Sequence, residues 1–246
     1  AQAAKRRATV HLKIDTGMGR LGIWMDEALE FIRQVARLRS LFIEGIYTHF
    51  PLAETDSEFT HRQIRDLDHL IRRLDRWGLV VPYIHAANSM GLAGYKIDIL
   101  NLARPGLMLY GLLPSPSTLK KTIFIKPAMG VKSKILLLKK VPKGQGISYG
   151  HTFIAPRDMK VATLAIGYKD GYLRCLSNKS FVLVKGRRCP VIGRVTMDQI
   201  MIDVSRVPSV RVGQEAVILG RQKEAFISAD ELARHANTIS YEIVCS

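Results

Sequence analysis

The chain has 246 residues, of which 47% are hydrophobic, and its 37 lysines and arginines outnumber its 21 acidic residues to give a net charge of +16. This length allows one large domain or two ordinary ones, and the hydrophobic content is enough for a packed core. There is no apolar run of about 18 residues and no apolar segment near the N-terminus, so we expect neither a transmembrane helix nor a secretory signal.

The three cysteines, Cys175, Cys189 and Cys245, are odd in number and lack the spacing of metal ligands. Such cysteines are typical of free thiols in a reducing compartment. We therefore predict a cytoplasmic protein without a metal site.

The first predicted element is a strand, because apolar and polar residues alternate over 10–15. The glycine-rich turn G-M-G-R follows at once, and a helix follows the turn. In such units functional side chains collect at the C-terminal end of the strand. Lys13, Asp15 and Arg20 are therefore candidate site residues, although an ordinary surface turn with solvated charges explains the pattern equally well.

The rest of the first half alternates helices and strands. The first predicted helix is capped by Asp26 and has an apolar face from Leu29 to Leu38, and a strand over 42–50 follows it and ends at His49. A second helix is opened by Thr55 and Glu58 and has an apolar stripe that reaches Trp77. The remaining predicted elements are a strand over 80–86, a short helix over 90–95 and a strand over 100–104. This alternation is typical of a parallel sheet.

The second half has a different pattern. Residues 114–116 and 120–121 are predicted as a linker, and short β-rich segments follow it. The predicted strands lie over 131–140, 159–166, 181–184, 191–195, 200–204 and 216–219, and a short helix lies over 228–235. Strands of this length separated by turns predict a mainly β domain, either a barrel or a sandwich.

Five residues stand out at the ends of elements or in loops. His49 ends a predicted strand and could relay protons or orient a base, or be structural. Ser89 begins a helix, where a hydroxyl and backbone amides bind phosphate or simply cap the helix. Arg104 precedes a Pro-Gly turn and could contact an anion or a ring nitrogen, or pair with a carboxylate. Tyr149 lies between glycines and is either presented to a ligand or packed in its loop, and Met197 lies in a loop without chemistry of its own.

Taken together, the order and spacing of these segments resemble the pyridoxal-phosphate-dependent alanine racemases. The motifs that carry the resemblance are K-I-D-T-G-M-G-R-L-G, Y-T-H-F, H-A-A-N-S, R-P-G-L-M-L-Y-G-L, I-S-Y-G-H-T-F, A-I-G-Y-K-D-G-Y, G-R-V-T-M-D-Q and I-S-Y-E-I-V-C. The resemblance implies a (βα)8 barrel with a C-terminal β-domain. Residues 1–120 would then form the second half of the barrel, equivalent to its last four strands, and residues 121–246 the β-domain.

The resemblance also implies roles for single residues. The family lysine that matches Lys13 can be carbamylated, and it orients the arginine that matches Arg20, which binds the substrate carboxylate and the phenolic oxygen of the cofactor. Tyr149 matches the base that acts on L-alanine across the interface of a homodimer. His49 matches the histidine bonded to that tyrosine, and Arg104 matches the arginine that donates to the pyridine nitrogen.

The other matches concern the cofactor phosphate and the approach of the substrate. They are phosphate-binding positions at Ser89, Gly106 and Leu107, a substrate-contacting position of the partner subunit at Met197, and entrance-corridor positions at Tyr168, Arg174 and Arg194.

The implied activity is the interconversion of L- and D-alanine by two bases, which supplies D-alanine for the cell wall. A tyrosine with a pKa near 10 needs neighbouring positive charge to act as one of these bases near neutrality. Arg104 can only donate hydrogen bonds. It would leave the pyridine nitrogen unprotonated, which weakens the cofactor as an electron sink and favours clean return of the proton.

The sequence departs from the family pattern in one important respect. The family's cofactor lysine lies in a segment similar to V-V-K-A-N-A-Y-G-H-G, and the 246 residues contain no such segment. The chain starts near the fifth barrel strand and stops before the C-terminal tyrosine that binds phosphate in the family. Lys169 also replaces the usual small residue in G-Y-x-D-G-Y. We therefore predict the family and leave the activity of the isolated chain open.

Three alternatives remain from the sequence. The chain could belong to a racemase of another small amino acid such as serine, or be a non-catalytic remnant that dimerises or binds the cofactor weakly. The high positive charge also fits a nucleic-acid-binding protein, although the basic residues are dispersed and no nucleic-acid-binding motif accompanies them.

Overall fold

The computed structural model describes residue 3, residues 5–114 and residues 123–246. The chain forms two compact units, Ala1–Ile125 and Lys126–Ser246. Most of the predicted linker, and the predicted boundary between residues 120 and 121, lie outside the described residues. Within the described ranges, no helix has both the length and the apolar character needed to cross a membrane.

The first unit is a parallel sheet with helices between its strands. Its elements are β1 (Ala8–Asp15), β2 (Ile23–Trp24), α1 (Ala28–Ala36), β3 (Leu41–Tyr47), α2 (Ser57–Asp75), β4 (Tyr83–His85), α3 (Ser89–Gly94) and a 3-10 turn at Leu107–Tyr110. The strands pair in the order β2-β1-β3-β4, all parallel. The predicted alternation is therefore confirmed, while the two-residue strand β2 was not predicted.

The core of this unit lies between the sheet and the apolar faces of its helices. Ile14 of β1 and Ile46 of β3 are fully buried there, together with Ile32 of α1 and Leu67 and Leu74 of α2. Because apolar residues recur every three or four positions along both helices, one face of each helix packs against the sheet.

The helix starts differ from those predicted. The capping box at Thr55 and Glu58 is wrong by one residue, because the carboxylate of Asp56 accepts the Phe59 amide at 2.9 Å and makes Asp56 the N-cap of α2. An aspartate is a stronger N-cap than a threonine. The start of α2 is therefore fixed by the better acceptor.

The helix ends also differ. α1 begins after Glu27, with no side-chain cap, rather than after Asp26. Leu38 and Trp77 lie beyond the ends of their helices and are 51% and 38% exposed, so neither extends the apolar stripe as predicted. Trp77 instead packs against the Arg33 guanidinium, whose central carbon lies 3.6 Å from the ring centroid.

The predicted strand after α3 is wrong. The Asn101 amide donates to the Ile84 carbonyl at 3.1 Å and the Arg104 amide donates to the Ala87 carbonyl at 2.8 Å. Between these bonds the Asn101 side chain accepts the Ile84 amide at 2.9 Å and donates to the Pro82 carbonyl at 2.7 Å. The Asn101 side chain therefore bonds to backbone groups at 82–84 that a neighbouring strand would otherwise pair with, so no strand ladder forms.

The second unit is built on an antiparallel sheet. Its elements are β5 (Val131–Val141), β6 (Gly146–Ile147), β7 (Phe153–Ile154), β8 (Met159–Leu164), β9 (Phe181–Val184), β10 (Arg187–Pro190), β11 (Ile200–Asp203), β12 (Glu215–Gln222), β13 (Ala225–Ile227), α4 (Ala229–Ala236) and α5 (Ser240–Cys245), with 3-10 turns at Tyr149–His151, Tyr168–Asp170 and Arg174–Leu176. The mainly β prediction is confirmed, and the helix α5 was not predicted.

The large sheet of this unit closes on itself. Its strands pair in the order β10-β9-β12-β5-β8-β11, with β13 added to β12. The two ends meet where Val191 bridges Ile202 and the Ile192 amide donates to the Met201 carbonyl at 2.9 Å. The architecture is therefore the barrel, one of the two predicted alternatives.

One predicted strand in this unit is wrong. Residues 191–195 form only the single bridge at Val191, and the strand of this region is β10. The chain turns at Gly193, which has a φ of +76°, and the Gly193 amide is bound by the side chain of Asn178. A residue in the left-handed region ends the extended run that the apolar sequence suggested.

Candidate active site

The predicted site residues of the first unit follow its parallel strands. Lys13 lies in β1 and Arg20 follows that strand. His49 lies two residues after β3, and Ser89 begins α3 after β4. The Arg104 amide donates to the carbonyl of Ala87, two residues after β4. The C-terminal ends of parallel strands meet at one edge of the sheet. The structure thus brings these five side chains to a common edge.

Asp15 organises the turn that leads to Arg20. It is only 3% exposed, and its carboxylate accepts the amides of Gly17, Met18 and Gly19, each at 2.8 Å. Burial alone would raise the pKa of Asp15, but the three amide hydrogen bonds lower it below its ordinary value. The turn is therefore held by a buried, ionised carboxylate.

Lys13 lies under the influence of several charges. Its Nζ donates to the Ile14 carbonyl at 3.1 Å and lies 5.7 Å from the centroid of the Tyr47 ring. Burial lowers the pKa of Lys13, and the positive charges of Arg104 and Arg20 lower it further against the opposing effect of nearby Asp15. A larger fraction of this amine is therefore neutral than in an ordinary lysine.

Arg104 is anchored on two sides. One guanidinium nitrogen donates to Nδ1 of His85 and the other donates to the Thr48 carbonyl at 2.8 Å. The central carbon of the guanidinium also lies 5.2 Å from the centroid of the Tyr47 ring, which stacks on His85 with a centroid distance of 4.8 Å. The orientation of the arginine is therefore set by fixed groups of its own unit.

A chain of hydrogen bonds continues behind Arg104. Since arginine only donates, Nδ1 of His85 accepts, and the proton on its Nε2 points to Nδ1 of His11 at 2.7 Å. Nε2 of His11 then carries the proton that is shared with Glu44 at 3.1 Å. Both histidine tautomers follow from the direction of the first bond.

The sequence analysis missed this chain of His85, His11 and Glu44. One local signal was present, because Gly45 interrupts the β-rich strand β3. A Cβ at Gly45 would lie 2.3 Å from Nδ1 of His11, so the glycine makes room for the imidazole. A glycine inside a strand often marks such a close approach.

The two histidines nearest to Arg104 are held neutral. Burial, with the positive charge of Arg104 and the neighbouring His11, lowers the pKa of His85 to about 4. Burial and the charges of Arg104, Arg20 and Lys13 lower the pKa of His49. The same cations act on Lys13 and on His49, which shows that the positive groups are concentrated in one place.

The Ser89 side chain accepts hydrogen bonds from the backbone of the segment that follows Arg104. Its buried Oγ accepts the amides of Gly106 at 3.1 Å and Met108 at 3.3 Å, and Leu107 is buried between them. The alternative that Ser89 is a helix cap is wrong, since Asn88 accepts the Gly91 amide at 2.8 Å and is the N-cap of α3. The hydroxyl proton of Ser89 is left to donate to another group.

The predicted site residues of the second unit lie in neighbouring turns. The amides of Tyr168 and Lys169 donate to the carbonyls of Thr196 at 3.0 Å and Met197 at 2.9 Å. Ser177 links two further turns, because its hydroxyl donates to the Arg174 carbonyl and accepts the Val195 amide at 2.9 Å. Arg174, Tyr168 and Met197 are thus brought close to Arg194.

Tyr149 projects from a strained turn in the same region. The preceding Ser148 has φ +64° and ψ −175°, a conformation that is almost restricted to glycine. The Ser148 hydroxyl donates to the Arg194 carbonyl at 2.6 Å and holds the turn in place. Tyr149 is 72% exposed and Met197 is 58% exposed.

No group of three histidine, cysteine or acidic side chains in the described ranges is placed to hold a metal ion. The three cysteines are free thiols.

Sequence comparison assigns both units to one family. A sequence model of the alanine racemase N-terminal domain matches residues 1–114, and a model of the alanine racemase C-terminal domain matches residues 128–246. The chain belongs to the alanine racemase family. The predicted fold class, the second half of a barrel followed by a β-domain, is confirmed by these matches and by the similar solved structures.

Single relatives agree with this assignment. The alanine racemase of Halothermothrix orenii is 47% identical to the chain over 237 residues, which cover 96% of the chain and 62% of that protein. The structure of a Bacillus anthracis alanine racemase with bound L-Ala-P is similar with a TM-score of 0.88 and 36% identity, over 97% of this chain and 62% of that one. An alanine racemase structure from Clostridium difficile 630 has a TM-score of 0.91 at 35% identity, over 99% and 63% of the two chains. The chain therefore spans somewhat less than two thirds of these alanine racemases.

Proposed function

We propose that the chain carries part of an alanine racemase, a cytoplasmic homodimer that interconverts L- and D-alanine with pyridoxal 5'-phosphate and supplies D-alanine for peptidoglycan precursors. The observation that carries the proposal is the concentration of Lys13, Arg20, His49 and Arg104 at one edge of the parallel sheet, beside the Ser89 hydroxyl. The proposal keeps the division into a partial barrel over 1–120 and a β-domain over 121–246.

The residues of this edge fit the cofactor. A surplus of positive groups favours a ligand with phosphate and phenolate charges. The Ser89 hydroxyl lies against the amides of Gly106 and Met108. Apart from Gly106 and its two chain neighbours, no heavy atom of the described residues lies within 4 Å of the position a Cβ would take at Gly106. We propose that Ser89, Gly106 and Leu107 hold the phosphate in this open space. When bound, the cofactor withdraws electrons from the α-carbon of the substrate and makes its proton removable.

Arg104 is proposed to face the ring nitrogen of the cofactor. The bonds to His85 and to the Thr48 carbonyl fix the guanidinium, which has only hydrogens to offer. His85 is neutral above a pH of about 4, so it accepts from Arg104 without adding a second positive charge. Arg104 therefore donates to the ring nitrogen without protonating it, and this moderates the pull on electrons that would favour side reactions.

Arg20 is proposed to bind the substrate carboxylate, and Lys13 is proposed to orient Arg20. The lowered pKa of Lys13 increases the fraction of neutral amine, which would add carbon dioxide and release one proton to water to form a carbamate. A carbamate has the opposite charge to a lysine and would orient the guanidinium of Arg20 rather than repel it. Arg20 then holds the substrate carboxylate at the end of the turn that Asp15 fixes.

Tyr149 is proposed as the base that exchanges a proton with the α-carbon on the face from which L-alanine loses it. The exposure of its side chain within its own unit supports a role in the site of the partner subunit. His49, held neutral, would accept a hydrogen bond from the tyrosine of that partner. Met197 would contact the substrate in the same way, and Tyr168, Arg174 and Arg194 would line the corridor by which it enters.

The experiment supplies the part of the enzyme that the chain does not cover. The chain is co-expressed with the region of the Halothermothrix orenii alanine racemase that precedes the matched residues, and the purified pair is assayed with cofactor on L-alanine and L-serine. We expect racemisation of alanine, and its loss in Arg20→Ala. A verified pair that binds the cofactor but racemises only serine would support the alternative substrate.

A verified pair that racemises neither amino acid would overturn the proposal and support a non-catalytic remnant. The same preparation also tests the nucleic-acid alternative. Binding to DNA of any sequence that weakens steeply with salt would favour that alternative.

A further inference from the structure

A buried glutamine joins the two loops that carry Arg20 and His49. Gln63 lies on the sheet-facing side of α2 and is only 1% exposed. Its Nε2 lies 2.6 Å from Oγ1 of Thr16, 3.3 Å from the Thr16 carbonyl and 3.2 Å from the His49 carbonyl. Thr16 opens the turn after β1, and His49 belongs to the loop after β3.

The orientation of the amide follows from its partners. Two of the three oxygens near Nε2 are backbone carbonyls, which only accept hydrogen bonds. With the amide turned over, Oε1 would face both carbonyls without a hydrogen between them. The NH2 group therefore points to Thr16 and His49, and its two hydrogens are shared among three acceptors.

Position 63 is energetically unfavourable for a polar side chain. The other large buried side chains on this face of α2, from Leu67 to Leu74, are apolar. Oε1 of Gln63 is buried and has no hydrogen-bond partner among the described residues. Burial of an unpaired amide oxygen is unfavourable, so an apolar residue would serve the core better than Gln63 does.

We propose that Gln63 is a positioning residue that fixes the Thr16–Arg20 turn and His49 relative to each other. The hydroxyls of Thr16 and Thr48 are also 2.7 Å apart, so the two loops meet at a second point beside the Gln63 amide. Asp15 shapes the turn from within, whereas Gln63 ties it to the next loop. Any consequence for catalysis rests on the proposed function, but the positional claim does not.

The test compares two buried polar residues on the same face of α2. Gln63→Met keeps the approximate volume and removes the donor to both loops. Thr60→Val is the matched control, because the Thr60 hydroxyl donates to the carbonyl of Asp56, the N-cap of the same helix, at 2.8 Å and to neither loop within the part of the chain that the structure describes. Both variants of this chain are studied by NMR without cofactor or substrate, so the outcome is independent of any racemase assay.

Two local readouts are followed. In Gln63→Met we expect amide exchange at Gly17 and Gly19 to accelerate about tenfold, and the pKa of His49 to move back towards its ordinary value. Thr60→Val should leave both unchanged even where it lowers the global stability. Should Gln63→Met fail to fold, Gln63→Glu is compared by amide exchange alone. It keeps the length but presents acceptors to the two carbonyls, and its negative charge would by itself raise the pKa of His49. A Gln63 variant that folds and leaves both readouts at wild-type values would overturn the proposal.

Discussion

The residues that support the proposed site in the first unit differ from the proposed site residues of the second unit. In the first unit, Asp15 and His85 are buried and the groups around Arg104 are bonded to fixed partners. In the second unit, Tyr149 and Met197 are more than half exposed. Groups that must hold a charged ligand benefit from being fixed beforehand, whereas a group that serves another subunit must stay at the surface. Substitutions of the buried supporting groups in the first unit should therefore lower stability, whereas substitutions of the exposed side chains of Tyr149 and Met197 should affect activity alone.

The largest effect is expected at Asp15. Asp15→Ala removes the acceptor of three amides and should lower the free energy of unfolding by about 3 kcal/mol, as for loss of several bonds to a buried charge. Urea denaturation measures this. Asp15→Asn keeps one acceptor oxygen and should cost less. The exposed Asp198 is the matched residue in the second unit, and Asp198→Ala should change stability by less than about 0.5 kcal/mol. Equal losses at Asp15 and Asp198 would remove the contrast between the units.

Protonation of His85 at acid pH should lower the free energy of unfolding of the first unit. Its pKa is about 4 in the folded chain and near 6.5 when unfolded, so between these values only the unfolded chain binds the proton. The stabilisation is complete above pH 6.5 and is lost as the pH falls towards 4. We expect a loss on the order of 2 kcal/mol over this range, seen as the difference between wild type and His85→Gln in urea denaturation at each pH. Parallel pH profiles for the two proteins would show that His85 is not held neutral.

In the first unit, the sequence reveals more of the proposed site residues than of the residues that hold them in place. Lys13, Arg20 and Ser89 could be found because they end or follow strands, a pattern that local spacing reveals. The chain from His85 to Glu44 could not, since its members meet only when three strands are side by side. Gln63 looks like an ordinary polar position of an amphipathic helix until α2 packs on the sheet.

The errors in element assignment have the same origin. The segment around Asn101 has a strand-like sequence, but a side chain takes the place of the backbone ladder. In the second unit, the apolar run after β10 is ended by the left-handed turn at Gly193. Tyr149 could be singled out from its flanking glycines, whereas the strain at Ser148 has no signature in the sequence.

A smaller effect is expected at Ser148. Both Ser148→Gly and Ser148→Ala lose the bond to the Arg194 carbonyl, but only alanine keeps a Cβ in the strained conformation. The glycine variant should therefore be more stable than the alanine variant by about 1 kcal/mol. Thermal or urea unfolding of the two proteins gives this difference directly. If alanine proves as stable as glycine, the turn before Tyr149 is not strained.

The smallest effect on stability is expected at Tyr149 itself. Tyr149→Phe removes only an exposed hydroxyl and should change the free energy of unfolding by less than about 0.5 kcal/mol. A loss comparable to that of Asp15→Ala would place Tyr149 among the supporting residues rather than the reactive ones.

The most direct test of Tyr149 as a base is α-proton exchange by the Tyr149→Phe variant, co-assembled with the segment of the Halothermothrix orenii alanine racemase that the chain does not cover. D- and L-alanine are incubated separately in deuterated water, and deuterium at the α-carbon is followed together with racemisation. We expect D-alanine still to exchange its α-proton, through the base on the other face of the α-carbon. L-alanine should neither exchange nor racemise. Racemisation by Tyr149→Phe at the wild-type rate would contradict a role of Tyr149 as a base.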